Sequence, residues 1–241
     1  MRMEGPTRLD LRRLHFNPRM LREIIRIGLP AGIQSSVFSL SNVVIQSSVN
    51  SFGSVVIAGN AASANIGSFI YQAMNTFQQA VTCFASQNIG ARKPRRIFTA
   101  MKASMIWSVI SGVALGVLSC VFGEPLLSLY SSDPAVIAAG MERQIIVCAP
   151  YFLCGMMEVM TGALRGVGYS ILPMAVSILG VCVFRIFWVM TIFKVIPTLG
   201  CLMISYPISW LMTFFVLVIL FYRVWQRNIK PHFTDEELAR E

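Results

Sequence analysis

A chain of 241 residues in which 55% are hydrophobic and 13% charged, with a mean hydropathy of +0.65, is too poor in charge for a water-soluble domain, where about 25% is usual. The net charge of +9 would suit a nucleic-acid partner, but the basic residues gather beside apolar runs, which is the positive-inside pattern of a multi-pass membrane protein. Six dispersed cysteines form no CxxC pair, so neither a zinc site nor a disulfide framework is indicated.

Residues 1–22 read as a cytoplasmic basic linker, with seven arginines in the first 26 positions. Asn17 followed by Pro18 predicts a helix N-cap and first-turn proline. The helix begun there either lies against anionic lipid or is a plain solvated linker. The first apolar run leads straight into a full-length span, unlike the short apolar region of a secretory leader. Residues 23–222 then predict a six-span all-α lobe. Span one covers 23–50, with Gly28, Pro30 and Gly32 loosening its inner end. A tight turn at 51–54 leads to span two at 55–88. The basic loop Arg92-Lys93-Pro94-Arg95-Arg96 places that end in the cytoplasm.

Span three lies within 103–123, where Gly112 and Gly116 form a GxxxG contact face. The external loop holds Glu124, Asp133 and Glu142, with Arg143 as its only basic residue, and Asp133-Pro134 is a second cap signature. Span four covers about 143–164, kinked at Pro150, and its inner end carries a second GxxxG at Gly162 and Gly166. Span five covers about 173–194. Span six lies in the charge-free run 195–222, kinked at Pro207. Residues 223–241 form a cytoplasmic tail with an acidic end. Six spans across the cell membrane, with the basic segments on the inner side, place both termini in the cytoplasm.

Residues 27–91 carry no charge, yet they are not uniformly apolar. Helical spacing aligns Ser35, Ser39, Asn42, Gln46 and Asn50 on one face of span one. It aligns Ser68, Gln72, Asn75, Gln79, Thr82 and Ser86 on span two. Amides in hydrocarbon are costly without partners or water. The stripes therefore predict a shared polar interior with Gln34, Asn42, Gln46, Gln72, Asn75 and Gln79 lining a cavity. The alternative is that they only glue helices together.

Two ionisable residues fall inside spans, Glu158 and Arg185. Such residues mark a pathway or a pair. Glu158 is the candidate cation or proton site, and Arg185 is its candidate intramembrane charge partner. Lys102 lies nearer the interface and snorkels. Aromatic residues such as Phe38, Tyr71, Tyr151, Trp188 and Trp210 either pack and anchor or stack on flat organic cations. The fourteen methionines read first as packing residues that also suit a promiscuous surface. No span carries paired carboxylates, a metal-ligand cluster or a nucleophile–base set. His15 and His232 lie in the terminal segments, so the chain does not read as an enzyme.

Four segments carry a family resemblance: residues 27–32, with Gly28, Pro30 and Gly32 entering a span; residues 78–92, ending Gln87-Asn88-Ile89-Gly90-Ala91-Arg92; residues 126–130 followed by Asp133-Pro134; and residues 158–173, with Gly162-Ala163-Leu164-Arg165-Gly166-Val167-Gly168. In this order they resemble the C-terminal half of a multidrug and toxic compound extrusion (MATE) transporter. The resemblance implies twelve spans in two six-helix lobes around a cavity that alternates its exposure. It implies export of organic cations or other toxic small molecules in exchange for Na⁺ or H⁺, with no further cofactor. It implies membrane lipid and a matching N-terminal lobe or a second copy as partners, and no nucleic acid. Some members place an acidic residue in their seventh span. Here that helix offers Gln34, Asn42 and Gln46, which leaves Glu158 as the acid of this lobe. A truncated, non-transporting half protein and a lipid-linked saccharide flippase of related architecture are the alternatives.

Overall fold

The computed structural model describes residues 17–234, and among them it is helical with no strand. The arginines before residue 17, His15 and the acidic end at 235–237 lie outside the described residues. Asn17 caps α1 (Pro18–Asn50): its side-chain oxygen accepts from the backbone N–H of Arg19 at 3.1 Å and of Met20 at 3.4 Å. The helix therefore begins at Pro18, ahead of the expected span, and it runs unbroken through Pro30. A turn with Gly53 at φ 90° reverses the chain into α2 (Ser54–Gly90). Arg92, at φ 54°, turns it again into α3 (Pro94–Val121). A short α4 (Gly123–Ser128) follows on the far side.

Span four departs from its expected limits. Asp133 accepts from the backbone N–H of Ala135 at 2.9 Å, and Pro134 is preset for a first turn. That nucleus starts α5 (Pro134–Arg143) well before the expected boundary. Arg143 is consequently not a loop residue. It is buried and donates from Nη1 to Ser63 Oγ on α2 at 3.1 Å. A wide π-type turn (Gln144–Cys148) and Pro150 then bend the helix by 42° into α6 (Tyr151–Gly166). Span five comprises α7 (Ile171–Ser177), a second wide turn (Ile178–Val183), α8 (Phe184–Met190) and α9 (Ile192–Val195). Span six is α10 (Leu199–Val224), which continues in tighter and wider turns to His232.

Three of these helices are long and apolar enough to cross a membrane, and the bent α5–α6 pair makes a fourth. The other two members of the six-helix bundle, α1 and α2, have 33 and 37 residues. Length and charge do not exclude them; the polar stripes lower their hydropathy.

In lipid, apolar burial gains little over acyl chains, so close packing must hold the helices. The central helix is α6, against α2, α3 and α10. Small residues allow the approach. A Cβ on Gly162 would lie 2.5 Å from the carbonyl oxygen of Gln78, and one on Gly112 would lie 2.7 Å from Cα of Phe152. Both GxxxG pairs thus face the backbone of a neighbouring helix, Gly116 at the wide turn ending at Cys148. Val81, Ala85, Met157, Leu164, Leu202 and Leu217 fill the core around them. In contrast, α1 touches α2 lightly and leans mainly on span five.

Candidate functional site

A cavity of about 350 Å³ lies between α1, α2, α6, span five and α10. Each helix contributes polar atoms: Ser35, Ser39, Ser41 and Asn42 from α1; Ser68 and Tyr71 from α2; Glu158 from α6; Arg185 from α8; and Tyr206 from α10. Tyr151, Trp210 and Phe38 supply ring surface. The size suits a small organic molecule.

Both intramembrane charges line this space. Glu158 is 3% exposed and takes part in no hydrogen bond or ion pair among the described residues. Arg185 is 4% exposed and is held on the other wall. Its Nε donates to Ser209 Oγ at 3.0 Å, and that hydroxyl donates onward to the Tyr206 carbonyl at 2.8 Å. The guanidinium carbon lies 3.9 Å from the Tyr206 ring centre and 5.7 Å from that of Trp210, a double cation–π arrangement. The expected pairing of Arg185 with Glu158 is not formed.

The six amides separate. Asn42 lines the cavity. Gln34 does not: it is buried at the neighbouring interface, where its Oε1 accepts from Arg165 Nη2 at 2.7 Å. Gln46 accepts from Asn60 on α2 at 3.2 Å and donates to Asn50 at 3.0 Å, so it joins the hairpin instead of facing the cavity. Asn75 donates to Gln78 at 3.2 Å and accepts from Gln79 at 2.7 Å, while Gln72 and Gln79 stand on the exposed face of α2. Not every polar group of the two stripes depends on a wet cavity. Three of the six amides, Gln46, Asn75 and Gln79, find partners within one turn of their own helix, and the stripe hydroxyls of Ser35, Ser39 and Ser68 likewise donate to backbone carbonyls at 3.1, 3.0 and 2.6 Å.

Tyr206 and Ser209 escaped the reading of the sequence. The signal was present, because an arginine in an apolar span requires partners. Tyr206, Ser209 and Trp210 present two rings and a hydroxyl on one face of α10, at i, i+3 and i+4.

The family model described as MatE matches residues 30–191. The chain is 24% identical over 219 residues to the probable multidrug resistance protein YoeA of Bacillus subtilis, which covers 90% of this chain and 47% of YoeA. It is 25% identical over 165 residues to the probable multidrug resistance protein NorM of Thermotoga maritima, covering 68% of this chain and 36% of that protein. Among solved structures, the Vibrio cholerae MATE transporter VcmN in its bent form superposes with a TM-score of 0.79 at 17% identity, over 91% of this chain and 50% of VcmN. The chain spans half or less of the length of these relatives, and its fold is that of one lobe of such a transporter.

Proposed function

The chain belongs to the MatE family, and we propose that it is one lobe of a cation-coupled exporter of multiple drugs or toxic organic compounds. Glu158 is the coupling acid, exchanging between Na⁺ or H⁺ and the positive group of the cargo. The observation that carries this reading is the cavity itself. A carboxyl group within a span lines it, with no hydrogen-bonded or ion-paired partner among the described residues, beside aromatic walls. A purely structural acid at that depth would be paired, because an uncompensated charge there is expensive.

The exposed polar edge of α1 and α2, with Ser39, Asn42, Gln72 and Gln79, is the surface that would meet a matching N-terminal lobe or a second copy. Rocking of one lobe against the other would then alternate access to the cavity. Both termini are assigned to the cytoplasm. In support, Arg92 in the basic α2–α3 loop donates to the carbonyl of His232 at 3.0 Å, which places that loop and the end of α10 on one side.

The test is to express the chain in a drug-sensitive host, with and without a matching N-terminal lobe, and to follow dye efflux under imposed Na⁺ and H⁺ gradients. Efflux should require the second lobe or self-association, and Glu158→Gln should lower it at least about tenfold, the order of effect of removing a group that binds the driving ion. Undiminished efflux by Glu158→Gln under both gradients would remove Glu158 from the coupling step.

A further inference from the structure

We infer that the α2–α3 turn and the end of α10 together bind the headgroup of an anionic phospholipid. The inference needs only the membrane setting and is independent of the transport reading.

Two basic runs far apart in the chain meet at one end of the bundle. Lys93, Arg95 and Arg96 open α3, while Arg223, Arg227 and Lys230 lie at the close of α10 and in the turns that continue it. Arg92 Nη2 donates to the His232 carbonyl at 3.0 Å and so joins the two runs. A ring cluster beside them holds the helices in that relation. Phe98 of α3 meets Trp225 and Phe221 edge on, with ring centres 4.5 and 6.0 Å apart. A topology signal needs only charges in loops; it does not need separate basic runs packed together.

All six of those side chains are exposed, and none has a hydrogen-bonded or ion-paired partner among the described residues. The described acids fall elsewhere. Glu124, Asp133 and Glu142 lie beyond the far end of α3, Glu158 lines the cavity, and Glu23 belongs to α1. Like charges gathered in this way repel one another, so the cluster is favoured most where an anionic surface answers it.

What lies along the helices below the charges selects a lipid over a soluble anion. On α10, Phe215, Ile219, Arg223 and Arg227 follow at steps of four, an exposed stripe that changes from apolar to basic toward the helix end. On α3, Ile110, Ile106, Lys102 and Arg95 repeat the pattern, again exposed throughout. Acyl chains can lie along the apolar lengths while the phosphate meets the basic ends. Arginine forks bind phosphate oxygens in pairs. A zwitterionic lipid carries its own cation beside the phosphate, and the cluster would repel it. A headgroup with net negative charge has no such conflict.

The test uses the full chain in detergent, titrated with phosphatidylglycerol or phosphatidylcholine, with bound lipid counted by native mass spectrometry. Phosphatidylglycerol should bind at least about tenfold tighter than phosphatidylcholine, and saturably. Replacing Arg95, Arg96 and Arg227 together by Gln should abolish that preference. These side chains are exposed, so the melting temperature in phosphatidylcholine should not change. Replacing Arg19, Arg22 and Arg26 of α1 by Gln removes as many charges and should leave the preference intact. Inorganic phosphate should not displace the lipid. Equal binding of the two lipids by the parent, equal loss in the two triple variants, or displacement by inorganic phosphate would overturn the assignment. The acidic end of the chain is tested by deleting residues 235–241. The preference should persist; a preference that arises only after that deletion would make the acidic end the occupant and overturn the lipid site.

Discussion

Two helices that both carry small and polar residues, α1 and α6, behave in opposite ways. Most of α6 is buried; its Gly162 and Gly166 let the α2 backbone in, and its Gly155 admits the Ser108 and Met74 side chains. Its one carboxylate faces the cavity. By contrast, α1 is largely exposed, and its serines turn their hydroxyls back onto their own helix. Small residues without hydroxyls create an interface, because nothing stands between two backbones. Serines that satisfy themselves leave a helix that need not bind its neighbours, and such a helix is free to shift. The lobe therefore joins a tightly packed α2–α3–α6–α10 block to a lightly held α1, with the cavity at the seam.

That contrast can be broken most severely at Gly162. Gly162→Leu drives a side chain into the Gln78 carbonyl, and overpacking of this kind costs about 3 kcal/mol or more where backbone must move. The expected result is loss of the folded block in detergent, read as rapid maleimide labelling of the buried Cys148 and Cys154, with the exposed Cys83 as the internal control. The same class of change on α1 should do almost nothing. Nothing lies within 4 Å of a Cβ at Gly32, so Gly32→Ala should leave the melting temperature unchanged or raise it slightly, by up to ~1 kcal/mol of helix propensity.

An intermediate effect is expected where the two regions meet. Gln34→Leu removes the acceptor of Arg165 across the α1–α6 contact. Losing a hydrogen bond to a charged group costs about 1.5–3 kcal/mol, less where the arginine reaches water. A thermal melt of the variant should show that loss. Hydrogen exchange should show it confined to α1, with α6 still protected; equal loosening of both helices would mean that α1 is not the weakly held element. The smallest change is Ser39→Ala. Its hydroxyl only bonds to Ser35 of the same helix, so stability should stay within about 0.5 kcal/mol. Any effect on dye binding by Ser39→Ala would then report the cavity edge and not the fold.

Much of this molecule was legible in its residues. Asn17-Pro18 and Asp133-Pro134 marked two helix starts, and both are capped as expected. The two GxxxG pairs marked faces that do carry close backbone contact. Glu158, Arg185 and Asn42 stood out as polar groups in apolar runs, and all three line one cavity. Less legible were the partners. Gln34 and Asn42 lie on the same helix and differ little in character, yet one binds Arg165 and the other faces the cavity. Arg143 looked like a loop charge and is buried against Ser63.

Composition and periodicity were enough to establish the membrane setting, the helices, their caps and which side chains share a face, because these depend on local chain chemistry and a repeat of 3.6 residues. The rotation of each helix about its axis, and so who meets whom, came only with packing. The wide turns at Gln144–Cys148 and Ile178–Val183 are the clearest instance. Each resets the helical phase by a fraction of a turn. The second comes just ahead of Arg185, which lies over Tyr206 and not against Glu158.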